Sequence, residues 1–208
     1  MKIQMVCLAN STVEGGRILV GILLQDGIPL VDSMGPRWIR LVMAPKRPSI
    51  PAGLVVDIVP RDILEFEALS AQDFHDCKGT VVFDPYSLRF RGVMDESLIV
   101  NYCAKRSSSL RDVAGNVASF EGFMLLDAQS CSIEVGKEHP RSKRVDLELK
   151  FQFGGIGYRF RIDDPWFLEV VQADPEILDR KPQHHIVLQG SRKRGQAHSF
   201  CSVMAVMV

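Results

Sequence analysis

The chain has 208 residues, and its 25 lysines and arginines balance 25 aspartates and glutamates, which leaves a formal net charge of zero. Average hydrophobicity without net charge excludes a disordered chain, and the apolar runs are far shorter than the roughly 18 residues of a transmembrane helix. The five cysteines form no C-x-x-C pair, so nothing supports a zinc site or a disulfide framework, and a reducing cytoplasm is the expected location.

Short β-strands are the main elements that the sequence predicts. Alternating apolar and polar residues and β-branched side chains mark segments separated by turn-rich pieces. In chain order, the strand candidates are residues 2–8, 17–24, 37–43, 54–59, 80–83, 98–101, 122–126, 131–135, 144–153, 158–162, 186–188 and 200–206. Many short strands with turns between them are typical of small β-barrels or a sandwich, and they disfavour a single large sheet of alternating strands and helices.

Helices are few and are predicted as connectors. The clearest one covers 164–171, where Asp164 stands at the cap position and Pro165 at the first helical position. A similar start is predicted at 174–178, a helix at 62–68 and a short turn at 109–113. The strand candidates fall into two groups on either side of a polar stretch at 95–97, which predicts domains at 1–97 and 98–208.

Signatures of common catalytic and metal sites are absent from the sequence. It holds no Walker loop, no H-E-x-x-H motif and no G-x-S-x-G elbow. The glycine-rich run 154–157 lies between two strand candidates and predicts a hairpin. Asp163 and Asp164 can cap a helix, hold a cation or act as a general base, and capping is the simplest role for Asp164.

An enzyme that uses Asp163, His184 or His185 as acid or base has no specific support in the sequence. The two histidines point to opposite sides of an extended chain, which disfavours a shared metal. The sequence therefore implies a protein without enzymatic activity and without a cofactor.

Aromatic residues next to arginines are the most suggestive pattern. Alternation along the segment 37–40 places Trp38 and Arg40 on one face, where an indole can stack on a base while a guanidinium meets a phosphate. A tryptophan at a barrel mouth covered by an arginine stem explains the pair equally well. In the segment 158–161, Arg159 and Arg161 share one face, which predicts exposed arginines with the aromatic residues in the core.

Two basic loops accompany these strands. One contains Arg192, Lys193 and Arg194, and the other spans 137–144. A solvated hairpin tip explains each loop alone. If the loops project from the same barrel end, they form a rim that attracts phosphate.

Several segments resemble a bacterial family, the dual OB-containing domain proteins. They are V-C-L-A-N-S at 6–11, G-G-R-I at 15–18 and G-P-R-W-I-R at 35–40, with departures from the family pattern at Ile18, Val20 and Leu41. The resemblance implies a mainly β chain of two small OB-like barrels with short connecting helices. It also implies binding of nucleic acid or nucleotides, and a place in conflict or antiphage systems.

The family's motif positions correspond to Asn10, Ser11, Arg17, Trp38 and Arg40. The sequence thus predicts a cytoplasmic module that binds single-stranded nucleic acid or a nucleotide-like ligand. Trp38 is the expected stacking group, Arg40 and Arg17 the phosphate contacts, and Asn10 and Ser11 the base or sugar contacts. Arg192, Lys193 and Arg194 add nonspecific attraction, and Arg159 and Arg161 are further candidate ligand contacts.

An adaptor that docks to a separate effector protein is the alternative. Exposed strand edges or the methionine-rich terminus with Met204 and Met207 would form its interface. The zero net charge favours this alternative, because a protein with many phosphate contacts usually carries a basic excess.

Overall fold

The computed structural model describes residues 1–13, 15–33, 35–44, 49–74, 77–105, 122–138, 145–180, 183–192 and 199–207. The chain divides into two compact units, Met1–Ala104 and Lys105–Val208. Each unit contains its own sheet and its own hydrophobic core.

The first unit is a closed β-barrel. Its five main strands are β1 (Lys2–Val13), β2 (Gly16–Gln25), β6 (Trp38–Val42), β7 (Asp62–Phe74) and β8 (Cys77–Val93). The short strands β3 (Ile28–Pro29), β4 (Val31–Asp32) and β5 (Gly35–Pro36) lie between β2 and β6. Because β1 pairs with both β2 and β7, and β8 joins β7 to β6, the ring closes.

Alternation along the strands builds the first core. On β7, Leu64 and Phe66 are buried among core residues, whereas Glu65 between them reaches the outer wall. The Phe66 and Phe83 rings meet edge to face with their centroids 5.7 Å apart. Period-2 patterning therefore sets which side of the barrel wall each residue occupies.

The second unit closes in the same way. Its five main strands are β10 (Gly122–Glu138), β11 (Val145–Phe153), β12 (Ile156–Ile162), β13 (Gln183–Arg192) and β14 (Ser199–Met207), and a short strand β9 (Ala104–Lys105) precedes them. The turn between β11 and β12 consists of Gly154 and Gly155, with φ of 58° and 75°. Two positive φ values in a two-residue loop define a hairpin turn that favours glycine, which confirms the predicted hairpin.

Both barrels share one topology. In each, the five strands follow the spatial order first, second, third, fifth, fourth and back to first, and the third and fifth strands run parallel. A five-stranded Greek-key barrel of this kind is an OB fold. The expectation of a mainly β chain with two OB-like barrels is confirmed.

The helices are short. The α-helices are α1 (Glu96–Cys103) and α2 (Pro165–Ala173), and the 3-10 helices are Ala52–Leu54 and Ile177–Asp179. Asp164 caps α2 through its Oδ1, which accepts from the Phe167 amide at 3.0 Å, so the predicted cap is confirmed. Among the described residues, no helix is long and apolar enough to cross a membrane.

Several sequence predictions of elements were wrong. The predicted helix at 62–68 is part of β7, because its apolar residues Leu64 and Phe66 follow the period of a strand. The predicted strand at 98–101 lies in α1, where the Asp95 side chain accepts from the Ser97 amide at 2.7 Å and stabilises the helix start.

Three further predictions differ from the structure. The predicted strand at 54–59 is the end of a 3-10 helix followed by turns, and the candidates 122–126 and 131–135 form the single strand β10. The second helix start shortens to the 3-10 helix Ile177–Asp179. The predicted turn at 109–113 lies outside the described residues.

Candidate nucleic-acid interface

Trp38 and Arg40 lie on the outer side of the third strand of the first barrel. Ile39 and Leu41 belong to the barrel core, so the alternating side chains of Trp38 and Arg40 point away from it. Both are partly buried. In OB folds, the face of the second and third strands binds oligonucleotides and oligosaccharides. The predicted aromatic and cationic pair therefore occupies the face of the fold that commonly binds ligands.

A close backbone approach holds the strand that carries Trp38. Gly79 on β8 has φ of +90°, and a Cβ added there would lie 2.2 Å from the Trp38 carbonyl oxygen. On the other side of the strand, the Leu23 amide donates to the Arg37 carbonyl at 3.0 Å. The position of Trp38 is thus fixed by backbone contacts and by a glycine that no other residue can replace without strain.

Arg17 lies at the beginning of β2. Its backbone exchanges two hydrogen bonds of 2.8 Å with Ile50, and its Nη1 donates to the Asn10 carbonyl at 3.4 Å. Trp38 pairs with Ile22, which is five residues farther along β2, or about 17 Å in an extended strand. The structure does not bring Arg17 next to Trp38.

Asn10 and Ser11 lie inside the barrel wall, only 4% and 0% exposed. The Asn10 Nδ2 donates to the carbonyls of Val55 at 2.7 Å and Ile58 at 2.8 Å. Its buried Oδ1 has no hydrogen-bond partner in the described part of the chain. Ligand contact by these two side chains stays a prediction, and the structure gives Asn10 a bracing contact to the segment 55–58.

Arg159 and Arg161 lie on β12, the third strand of the second barrel. Arg159 forms ion pairs with Glu134 at 3.3 Å and with Glu148, and Arg161 pairs with Asp163 at 2.8 Å. Both arginines are exposed, as predicted. Carboxylates of the same sheet already match their charges, which weakens their attraction for phosphate.

The register shows that Arg40 and Arg161 are equivalent. Arg40 pairs with Thr80 on the parallel fifth strand, and Arg161 pairs with Ser202 in the other barrel. The next pair along the strands, Leu41 with Val81 and Ile162 with Val203, belongs to the core in both barrels. Two residues before Arg161, the position that corresponds to Trp38 holds Arg159, so the two barrels present different chemistry on equivalent strands.

The predicted basic loops are only partly described. Arg192 is the last residue of β13, and its backbone pairs with Ser199. Lys193, Arg194 and residues 139–144 lie outside the described residues. The predicted phosphate-attracting rim therefore stays a prediction.

Sequence reasoning missed a groove on the outer wall of β1, β7 and β8 in the first barrel. Its volume is about 360 Å³, at the lower end of the roughly 300–1,000 Å³ of ligand pockets. Its lining residues come from β1, β7 and β8, and not from β2 or from β6, which carries Trp38. The lining residues are Lys2, Glu65, Phe66, Glu67, Asp84, Tyr86, Ser87, Arg89 and Arg91.

A bulge between β7 and β8 shapes this groove. Glu65 pairs with Arg89, but Glu67 pairs with Asp84, so residues 85–88 bulge out opposite Phe66. Tyr86, on the bulge, is 77% exposed. The sequence signal is a turn sequence, D-P-Y-S at 84–87, followed by R-F-R at 89–91.

Charges in the groove are mixed. Glu65 accepts from Arg91 at 2.6 Å and from Gln4 at 3.1 Å, and these hydrogen bonds hold the pKa of Glu65 below its usual value. Arg89 Nη1 donates to the backbone carbonyls of Tyr86 at 2.9 Å and Leu88 at 2.8 Å. Glu65 thus neutralises Arg91, whereas backbone carbonyls hold Arg89.

No group of three His, Cys, Asp or Glu side chains suited to a metal ion occurs among the residues that the structure describes. His184 is buried, with its Nε2 3.0 Å from the Leu178 carbonyl oxygen. His185 Nε2 lies 4.0 Å from Asp127 Oδ1. The two histidines have separate surroundings, as expected for neighbours in a strand.

Two barrels of OB topology in one chain define a tandem OB-fold protein. The chain belongs to the dual OB-containing domain family, whose model matches residues 3–188. A search of curated proteins gives no match.

Solved structures with similar folds share little sequence with this chain. A Replication Protein A heterotrimer bound to single-stranded DNA is 11% identical at a TM-score of 0.45, over 99% of this chain and 49% of that one. A murine DNA-binding protein bound to double-stranded DNA is 9% identical at a TM-score of 0.35, over 100% and 97%. The p204 HINb domain is 12% identical at 0.36, over 96% and 95%. At these TM-scores, the similarities carry no argument about the ligand of this chain.

Proposed function

We propose that this protein binds single-stranded nucleic acid, or a nucleotide-like ligand, across the β2 and β6 face of the first barrel. Trp38 stacks on a base, and Arg40 contacts a phosphate. The observation that carries the proposal is the position of this pair, side by side on the outer face of the third strand of an OB barrel. Aromatic platforms with neighbouring cations are the means by which OB folds bind single strands.

Replacing Trp38 with alanine is the first test. A base stacked on an aromatic side chain contributes about 1–3 kcal/mol, so W38A weakens binding about 5- to 150-fold. The measurement is fluorescence anisotropy with labelled single-stranded DNA, single-stranded RNA and duplex at about 50 and 200 mM salt. W38F keeps a stacking ring and retains most of the affinity.

The other tryptophan of the chain provides a second readout and a control. Trp166 packs against the core of the second barrel. In a W166F background, Trp38 is the only indole, and its fluorescence is quenched when a base stacks on it. Unchanged fluorescence at saturating oligonucleotide contradicts a stacking role for Trp38.

Stability measurements distinguish binding from packing. If Trp38 only packs against the barrel, W38A lowers the free energy of unfolding by about 3–5 kcal/mol, the cost of truncating a buried tryptophan. The folded fraction then binds oligonucleotide like the wild type. A binding role predicts that the folded fraction of W38A loses affinity, whatever the change in stability, because Trp38 is partly buried.

The adaptor alternative is supported by exposed apolar side chains on the first barrel. On β7 and β8, Leu69, Phe90 and Val93 are 65%, 61% and 56% exposed. Apolar residues at a surface are typical of protein interfaces when they form a contiguous patch. The absence of binding to all three nucleic acids at about 50 mM salt favours a protein partner over a nucleic acid.

The proposal extends to a role in bacterial conflict or antiphage systems, which the family resemblance implies. It predicts that W38A abolishes protection in a phage plaque assay on cells that carry the system. A W38A protein that protects fully while its nucleic-acid affinity is lost separates the two parts of the proposal.

A further inference from the structure

We infer that the groove defined above on β1, β7 and β8 is a second nucleotide subsite. In this subsite Tyr86 stacks on a base, Arg89 contacts a phosphate, and the carboxylates accept from amino groups of the base. The inference deepens the proposed function and rests on it for the ligand class. It depends on different residues, so each can fail without the other.

Hydrogen bonds hold the backbone of the bulge that carries Tyr86. Asp84 Oδ1 accepts from the Tyr86 amide at 3.0 Å, and Ser87 Oγ donates to the Asp84 carbonyl at 2.6 Å. The Glu67 amide donates to the same Oγ at 2.8 Å, which ties the bulge to β7. An aromatic ring that is 77% exposed on such a braced turn is available for stacking, and the turn that carries it has little backbone entropy left to lose on binding.

Arg89 is the cation of the groove that is best suited to a phosphate. Its Nη1 is held by the carbonyls of Tyr86 and Leu88, and in the described part of the chain it has no carboxylate within ion-pair distance. The remaining N–H groups of the guanidinium fork can donate to phosphate oxygens. Arg91 differs, since Glu65 already accepts from it at 2.6 Å.

The carboxylates argue for a base with amino groups. The side chain of Glu67 is exposed and forms no hydrogen bond or ion pair among the described residues. Carboxylates accept from the N4 amino group of cytosine, whereas thymine offers an O4 acceptor at that position. The groove therefore favours cytosine over thymine, and it has no excess of cations for a polyphosphate.

The strand β8 joins the two subsites. Thr80, the neighbour of Arg40, and Tyr86 are six residues apart on β8, so they are separated by at most about 20 Å, the length of six extended residues. OB folds bind about 4–16 nucleotides of a single strand. One strand of that length can reach both Trp38 and Tyr86.

The test uses the full-length protein and two labelled probes, (dC)12 and (dT)12, in anisotropy titrations. Y86A weakens binding of (dC)12 about 5- to 150-fold, and Y86F binds like the wild type. R89A reduces the slope of log K against log salt by about 0.7, the contribution of one phosphate contact on a single strand. The wild type binds (dC)12 about 5-fold or more tightly than (dT)12, and E67A removes this preference.

Two matched controls isolate the groove. Phe90 is 61% exposed on the same strand but does not line the groove, so F90A leaves the affinity unchanged. Arg180, 62% exposed in the second barrel and paired with Asp174, is the control for a lost surface cation. Tyr86 is so exposed that Y86A leaves the free energy of unfolding within about 0.5 kcal/mol of the wild type.

The outcomes separate the inference from the proposed function. If W38A loses affinity and Y86A does not, the groove is not a nucleotide subsite and the proposed function stands. If Y86A loses affinity and W38A does not, the assignment of the groove as a nucleotide subsite stands and the stacking role of Trp38 is overturned. A wild-type protein that binds neither probe at about 50 mM salt overturns the groove as a subsite for single-stranded DNA, and the RNA titration then decides the proposed function. Equal affinity for the two probes overturns the role of the carboxylates.

Discussion

Asn10 shows how a single side chain in a family motif can serve the fold. It is 4% exposed, and its amide group holds the carbonyls of Val55 and Ile58, which follow a 3-10 helix far along the chain. We expect N10A to lower the free energy of unfolding by about 1–3 kcal/mol, because it removes hydrogen bonds from buried carbonyls. Urea unfolding followed by circular dichroism measures the change.

A control on the same strand and a binding assay complete this test. Thr12 is exposed on β1, so T12A changes the free energy of unfolding by less than about 0.5 kcal/mol. If Asn10 also contacts a ligand, the folded fraction of N10A binds (dC)12 more weakly than the wild type. Equal stability of N10A and wild type contradicts the bracing role.

At the scale of elements, Asp164 couples a helix to a strand. Its Oδ1 caps α2, and its Oδ2 accepts from the Val206 amide on β14 at 3.1 Å, with the residue 1% exposed. D164A therefore loses the cap, worth about 0.5–2 kcal/mol, and leaves a buried amide without its partner at about 1–3 kcal/mol. We expect a loss of about 2–4 kcal/mol in urea unfolding.

The neighbouring carboxylate is the matched control. Asp163 pairs with Arg161, whose side chain is 54% exposed, and exposed ion pairs contribute about 0–1 kcal/mol. D163A is therefore expected to be much less destabilising than D164A. Equal losses in the two variants would show that the second bond of Asp164, to β14, adds nothing to stability.

The elements that local chemistry determines were predictable from the sequence. Asp164 and Pro165 mark a helix start without help from the rest of the fold, and Gly154 and Gly155 mark a hairpin for the same reason. The helix α1 was missed because its apolar run is β-branched, while the signal that decides it is the Asp95 side chain before it. The strand β7 was missed because a short run of apolar residues among acids, such as Ile63, Leu64 and Phe66, also fits one face of a helix.

The face of Trp38 was predictable because alternation needs only neighbouring residues. The groove was not, since it requires the pairing of β1 with β7 and the register jump between β7 and β8. That pairing brings Lys2, Glu65 and Arg91 together from three distant segments. Such long-range register is set by packing of the closed barrel, which a single sequence does not display.

At the scale of the whole molecule, the two barrels repeat one topology but not one surface. The third strands carry W-I-R at 38–40 and R-F-R at 159–161, and carboxylates match the arginines of the second. A repeat that diverges on its outer face preserves its core positions, since the core determines folding and the surface determines binding. The first barrel is therefore the stronger candidate for contact with a nucleic acid.

The small number of arginines available for phosphate limits how binding depends on salt. With Arg40, Arg89 and at most Arg17 on phosphates, two to three contacts give a slope of about −1.4 to −2.1 in log K against log salt for a single strand. A rise from about 50 to 200 mM salt then weakens binding about 7- to 20-fold, measured by anisotropy with (dC)12. R40A lowers the slope by about 0.7, whereas R180A, which removes a paired surface cation of the second barrel, leaves it unchanged. A slope steeper than about −5 requires about seven contacts, and it would contradict an interface of so few cations.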